Sequence, residues 1–358
     1  MSRTKPPPRG RGAVSNPEGR FEPYQSEAFD DGWQGLDWEP TPISTTVTPE
    51  KSRTLITRND SPDVPFDLSI NPYKGCEHGC IYCFARPTHA YLGLSPGLDF
   101  ESRIFSKPDA ASRLREQLSK RGYRPQVIAL GANTDPYQPA ERELKITRSI
   151  LEVMAEFQHP VGVVTKSNLV LRDLDLLGAL AADNLVNVML SVTTLERELA
   201  RRMEPRAPTP ERRLEAMSGL SEAGVPVGVL ASPMIPGLND SEMESILKSA
   251  SEAGACSAGY ILIRLPLEVK ELFTEWLETH YPTKASHVLN LIRGAREGKL
   301  YDPQFGTRMR GTGQYAEMLE RRFEVARRRF GLDKKPAPLD VSRFRVPARP
   351  GDQMALFE

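Results

Sequence analysis

Along the middle of the chain, apolar residues recur in short β-branched runs, each followed by a longer stretch with helical spacing. The runs are QVIALGA at 126–132, VGVVTKS at 161–167, NVMLSV at 187–192, PVGVLASP at 226–233 and GYILIRLP at 259–266. An earlier run, FDLSINPY at 66–73, predicts a first strand. Between the runs lie amphipathic stretches such as AERELKITRSILEVMAEF and TPERRLEAMSGLSEAG, whose apolar positions repeat every three or four residues. Six strands alternating with helices predict βαβ units and a parallel sheet, hence an α/β fold. A partial (βα)6 TIM-like barrel and a doubly wound open sheet both suit this pattern. In either, chemistry gathers at the C-terminal strand ends.

The flanks read differently. Residues 1–60 are rich in Pro, Gly, Ser, Thr and charge, which predicts a mostly disordered segment with a docked piece around Trp33–Trp38. A strand–helix domain follows over 61–300, then a helical extension over 301–333 with its main helix at 314–330. A Pro-rich flexible tail, 334–358, ends the chain.

Composition narrows the class. The 358 residues carry 47 basic and 47 acidic side chains, so no global polycationic surface marks a nucleic-acid binder. Mean hydropathy is −0.42, and no apolar run reaches membrane-spanning length. The opening MSRTKPPPRGRG lacks the apolar segment of a secretory signal, so a cytoplasmic location is expected, with no membrane partner. In a reducing compartment, clustered cysteines serve metals or redox chemistry more than disulfides.

Three of the four cysteines, Cys76, Cys80 and Cys83, fall in the eight residues CEHGCIYC. Thiolates are the standard ligands of iron–sulfur clusters. Three closely spaced thiolates in a loop eased by Gly75 and Gly79 hold three irons of a cubane and leave the fourth open. The competing reading is a structural zinc site completed by His78, His89 or Cys256, which the single C-x3-C-x2-C triplet fits poorly. Cys256, in AGACSAG ahead of a strand, reads as a core residue.

C-x3-C-x2-C with an aromatic, Tyr82, before its last cysteine, placed after a first strand and ahead of βα repeats, resembles the radical S-adenosylmethionine (SAM) superfamily over about residues 66–300. The resemblance implies a [4Fe-4S] cluster on Cys76, Cys80 and Cys83 and SAM on the open iron. It further implies a 5′-deoxyadenosyl radical and a reducing partner such as flavodoxin or ferredoxin. Tyr82 is then counted with both the catalytic and the cofactor-binding residues.

By the same resemblance, Asn133, Thr134 and Asp135 in GANTDPYQPAE meet the methionine amino group, although the usual Gly-Gly-Glu is absent and the stretch also reads as a turn and N-cap. Lys166 pairs with the methionine carboxylate, and Ser191 and Thr193 reach the ribose. SPMIPGLND, with Met234 and Ile235, lies beside the adenine, and Arg264 faces the cavity. Tyr82, Tyr91, Tyr137 and Tyr260 are the candidate tyrosine hydrogen donors.

Within the superfamily, C-x3-C-x-Tyr-Cys, NTDPYQPAE and EPRAPTPERRLEA resemble the spore photoproduct lyase-related group, which implies a DNA substrate in repair. Two departures stand out. Phe84 follows the last cysteine where the lyase motif has tyrosine, and residues 131–141 lack the lyase's donor cysteine. RNA, a peptide or a small molecule is the alternative substrate, and a non-catalytic zinc-stabilised adaptor the alternative class.

Two further features concern partners. Gln353-Met354-Ala355-Leu356-Phe357 resembles the peptide that docks on the bacterial sliding clamp. Arg201, Arg202, Arg206, Arg212 and Arg213, and Arg321, Arg322, Arg327, Arg328 and Arg329, are candidate phosphate contacts. Interleaved glutamates make solvated helix faces the competing reading.

Overall fold

The computed structural model describes residues 8–22, 43–334 and 337–348. Six parallel strands form the core sheet: β1 (Leu68–Ile70), β2 (Ile128–Leu130), β3 (Val161–Thr165), β4 (Val186–Ser191), β5 (Val227–Met234) and β6 (Ser257–Leu262). They neighbour one another in chain order, with the short strand Thr57–Arg58 antiparallel on the outer edge of β1. A doubly wound sheet would reverse its strand order at a switch point. This one never does, so of the two expected architectures the fold is the partial (βα)6 barrel.

Helices cover the outside: α1 (Ala110–Leu118), α2 (Ile146–Glu156), α3 (Leu174–Ala182), α4 (Pro210–Glu222) and α5 (Met243–Glu252). α2 shows why these stretches are helical. Ile146, Ile150, Leu151, Val153 and Met154 make one apolar face and bury it on the sheet. The strands alternate accordingly. Val161, Val163, Val188 and Val229 are fully buried in the sheet–helix core. Gly162, Val164, Met189 and Leu230 point the other way, into the barrel interior, and are only half-buried or nearly so at several positions. The inner face of this open barrel is therefore more accessible than its helix-covered face.

Three more helices follow: α6 (Val269–His280), α7 (Pro282–Gly294) and α8 (Gly313–Arg329). α6 and α7 build a second apolar cluster with Cys80, Ile81 and Tyr82 from the cysteine loop. The free edge of β6 is covered by the loop before α8, where Leu262 N–H donates to Met309 O at 2.9 Å. That loop also spans the gap to the ground ahead of β1. Gly306 N–H donates to Asp63 Oδ1 at 2.6 Å, and Arg308 pairs with Asp63 and Ser61.

Pro/Gly-rich composition does not leave the N-terminal segment structureless. Residues 8–22 lie as a strap along the cysteine loop, and Thr46–Pro49 forms a second sheet with Arg103–Ser106 and Tyr73–Lys74. Much of the tail expected to be flexible is also docked. Arg345 N–H donates to Phe157 O at 3.1 Å, Asp340 N–H donates to Asn184 O at 3.0 Å, and the Phe344 ring packs on Tyr123, Phe157 and His159. Trp33–Trp38 and Gln353–Phe357 lie outside the described residues. Among the described residues, no helix is long and apolar enough to cross a membrane.

Candidate functional site

The cysteine loop begins where the short strand Tyr73–Lys74 ends and lies over the C-terminal ends of the barrel strands. Gly75 and Gly79 have φ of +78° and +67°. A Cβ on Gly79 would sit 2.7 Å from Glu101 Oε2, so the turn needs glycine for space as well as conformation. The loop backbone is held from all sides. Cys76 N–H donates to Phe100 O at 3.0 Å and Ile81 N–H to Met203 O at 3.0 Å. Gln138 receives Glu77 N–H at 2.9 Å and donates to Gly75 O at 3.2 Å.

Beneath the loop lies a buried ion pair that the sequence did not announce. Arg86 donates to Cys80 O, Gly79 O, Pro96 O and Gly97 O at 2.9–3.1 Å and to Glu101 Oε1 at 2.5 Å. All five of its N–H groups are thereby engaged. Glu101 also accepts from the strap, Gly12 N–H at 2.9 Å and Ala13 N–H at 2.8 Å. The strap is fastened again by Ser15 on Glu275 and Asn16 on Asp99.

The three cysteines are reduced and buried or nearly so. Burial pushes all three thiols above their usual range; the Asp135 N–H toward Cys76, and those of Ala85 and Arg86 toward Cys83, work the other way. Amide donors aimed at cysteine sulfurs suit an iron–sulfur cluster, whose potential they tune. A cubane takes each thiolate on a different iron, whereas zinc needs its ligands gathered on one centre. His78 is paired with Asp135 at 3.4 Å, and His89 Nε2 meets Arg103 O at 3.0 Å. Cys256 lies at the opposite end of the sheet, its thiol donating to Val227 O at 3.2 Å. The donor set fits the cluster and not the zinc ligand set.

Around the loop the strand ends supply a second polar network. Lys166, just past β3, donates to Ser191 Oγ at 2.6 Å and stands 3.5 Å from Glu204 Oε1, with its ammonium 5.7 Å from the Tyr82 ring centre. Glu204 is fully enclosed. It accepts from the Tyr82 hydroxyl, from Thr193 Oγ1 at 2.7 Å and from Arg213. Ser191 donates to Ser232 O at 3.1 Å, and Thr193 Oγ1 lies at the same distance from that carbonyl. Burial pulls the Lys166 ammonium below its usual value, with the buried cysteines and Asp135 opposing and Arg213 reinforcing that pull.

The candidates from β2 separate into two kinds. Asp135 is a brace: its carboxylate accepts from Thr165 Oγ1 at 2.7 Å, Lys166 N–H at 2.7 Å and Tyr137 N–H at 2.9 Å, and faces His78. Burial would raise its pKa, but His78, Thr165 and the Lys166 N–H outweigh that and hold it below the ordinary value. Thr134 donates to Tyr73 O at 2.9 Å. Asn133 alone leaves its side chain exposed. Met234 at the end of β5 and Ile235 in the turn after it bury their side chains in the two hydrophobic clusters, and Asn239 holds the turn through Ile235 N–H at 2.6 Å.

Of the four tyrosines, Tyr82 alone joins this network. Tyr91 is exposed against Phe21, Tyr137 is buried in the sheet–helix core, and Tyr260 packs under α8 on Phe323. The arginines expected on a solvated face also divide. Arg213 is buried, Arg206 reaches Glu77 at 3.3 Å, and Arg322 is paired with Glu244 at 2.7 Å. Arg201, Arg212, Arg321, Arg328 and Arg329 are exposed.

The family model of the radical SAM superfamily matches residues 70–250, which contain the loop, the strap's anchor Glu101 and the strand-end network. The chain belongs to the radical SAM superfamily. The family implies a [4Fe-4S] cluster and SAM. An uncharacterized protein of Mycobacterium tuberculosis is 33% identical over 290 residues, 80% of this chain and 82% of its own. One of Methanocaldococcus jannaschii is 29% identical over 221 residues, covering 62% of this chain and 79% of its own. Among solved structures, spore photoproduct lyase complexed with dinucleoside spore photoproduct is similar, with a TM-score of 0.56, 18% identity and 79% of each chain covered. A mutant of that lyase with bound AdoMet and the same photoproduct gives a TM-score of 0.55 at 18% identity. At that identity the shared feature is the fold.

Proposed function

We propose that this radical SAM protein acts on DNA, in repair, with its cluster held by Cys76, Cys80 and Cys83. The observation that carries the chemistry is the three-thiol loop itself, clamped by Arg86, Glu101 and Gln138 over the strand ends. When bound, the cluster and SAM supply a 5′-deoxyadenosyl radical on one-electron reduction, for which flavodoxin or ferredoxin is the donor class.

Each residue has a separate task in this reading. Lys166 presents a cation to the methionine carboxylate. Asn133 offers its free amide to the methionine amino group, while Asp135 and Thr134 shape the turn that carries it. Ser191 and Thr193 line the ribose side. Glu204 fixes the Tyr82 ring against the loop, and the strap over Gly79 excludes water.

The DNA substrate is supported by the fold likeness to a lyase crystallised with a dinucleoside photoproduct, and by the half-open inner face of the barrel. Residues 131–141 hold no cysteine and Phe84 follows Cys83, so the lyase's route for returning hydrogen has no counterpart there. The proposed reaction therefore shares the lyase's substrate class and not its full cycle. The terminal Gln353-Met354-Ala355-Leu356-Phe357 is proposed to dock on the sliding clamp, which would bring the enzyme to newly copied DNA.

The substrate is tested with reconstituted, reduced protein, SAM, and matched irradiated and unirradiated oligonucleotides, both followed by mass spectrometry. A mass change confined to irradiated DNA, with SAM consumed, is the expected result. Unaltered DNA beside undiminished SAM turnover would exclude DNA and leave RNA, a peptide or a small molecule as the substrate.

A further inference from the structure

Of the arginines around the cysteine loop, Arg86, Arg213 and Arg206 are engaged within the protein, Arg206 with Glu77 at 3.3 Å and with Thr45. Arg86 donates to four carbonyls and Glu101. Arg213 donates to Pro208 O, Ser191 O and Glu204. Arg264, just past β6, differs. Among the described residues its hydrogen-bond acceptor is the thioether of Met309 at 3.4 Å, and its buried Nε has no partner. Thioethers are weak acceptors, and a buried donor without a partner calls for an explanation.

The explanation lies in what the guanidinium covers. Arg264 sits 5.3 Å from the ring centre of Phe84, the residue after the cluster ligand Cys83, and Phe84 is 43% exposed. A second pair continues the edge: Arg308 lies 4.5 Å from the ring centre of Phe305, also exposed. Arg308 is neutralised by Asp63, whose other oxygen accepts from Gly306 N–H. Asp63 acts on both arginines electrostatically, yet the hydrogen bonds go to Arg308 and Gly306. Spare donors therefore collect on the inner arginine, the one beside the cluster loop.

We propose that Arg264 and Phe84 form the contact that grips the substrate strand, the guanidinium taking a phosphate and the open Phe84 ring stacking a base. Arginine beside an aromatic face is a common element of single-strand recognition, where charge follows the backbone and stacking holds the base. The placement next to Cys83 sets the gripped nucleotide beside the position where the radical forms. This inference rests on the DNA reading and adds to it the residues that recognise the strand.

The test is fluorescence anisotropy with anaerobically reconstituted full-length protein and a labelled, irradiated DNA oligonucleotide, repeated over a salt series. Arg264→Ala, Arg264→Lys and Phe84→Ala are compared with the unaltered chain, with iron content and cluster absorbance as the check on folding. Arg264→Ala is expected to weaken binding about tenfold and to lower the salt slope by about one, the signature of a lost phosphate contact. Arg264→Lys should restore the slope, and Phe84→Ala should weaken binding with the slope unchanged. Binding by the unaltered chain that both alanine variants reproduce, slope included, would overturn the inference alone. No DNA binding by the unaltered chain would overturn the DNA reading and this contact with it.

Discussion

Arg86 and Glu101 meet at 2.5 Å in a fully buried ion pair, and through it the N-terminal strap and the cysteine loop share one anchor. Removing one partner of such a pair leaves an uncompensated buried charge, at a cost of ~3–5 kcal/mol. Arg86→Ala and Glu101→Gln are therefore expected to lower the apo protein's stability in urea by about that much, again by the buried-pair rule. Both should also take up less iron on reconstitution. Unaltered unfolding midpoints would mean the pair is not what holds the loop.

Gly12 and Gly79 cross so closely that a Cβ on Gly12 would lie 1.8 Å from Gly79 O. Gly12→Ala should therefore lift the strap from the loop without touching a cysteine. The expected consequence is faster bleaching of the reconstituted cluster in air, followed by its visible absorbance. A bleaching rate equal to that of the unaltered protein would show that the strap does not shield the loop.

Glu204 stands between Lys166 and Arg213 and accepts from Tyr82. Glu204→Gln leaves two cations near one another without their anion, and a loss on the order of 3–5 kcal/mol is expected. Arg213→Met in the same chain should recover part of it, because the more deeply buried of the two cations is then gone. A double-mutant cycle in denaturant measures the coupling, and a coupling near zero would count against the network.

The barrel was legible because its strands are β-branched runs separated by amphipathic helices, a pattern that needs no long-range information. The cysteine triplet was legible for the same reason: its chemistry sits within eight residues. The strap was not, since Pro and Gly in its sequence signal disorder, while the structure uses Gly12 for close approach to Gly79. Arg213 reads in the sequence as one of a solvated arginine group because charged residues are seldom buried, and Glu204 carries no signal of its own. Their partners Lys166, Tyr82 and Thr193 come from other elements, so only the folded chain brings them together. The three-stranded sheet was missed because strands of two to four residues carry no usable alternation.

At the far end of the barrel, His159 is buried between Tyr123 and Phe344, with Nδ1–H donating to Pro160 O at 3.0 Å and Nε2 accepting from the Tyr123 hydroxyl at 2.8 Å. Burial lowers its pKa to about 4, although the bond to Pro160 opposes the shift. The unfolded chain binds this proton near pH ~6.5, so it takes up protons before the folded state does. The contribution of neutral His159 is complete above that pH and declines as pH falls toward 4, by ~3 kcal/mol at most. His159→Gln should flatten the stability–pH curve in that window, measured by thermal unfolding between pH 7 and 4. Parallel curves for the two proteins would contradict the assignment.

The most direct test of the central claim is 5′-deoxyadenosine formation by anaerobically reconstituted, reduced protein with SAM, beside a Cys80→Ala control. The assay is run without DNA, with intact DNA and with irradiated DNA. Product that requires Cys80 and rises with irradiated DNA is the expected result. Absence of product from iron-loaded protein in every arm would contradict a radical SAM enzyme built on Cys76, Cys80 and Cys83.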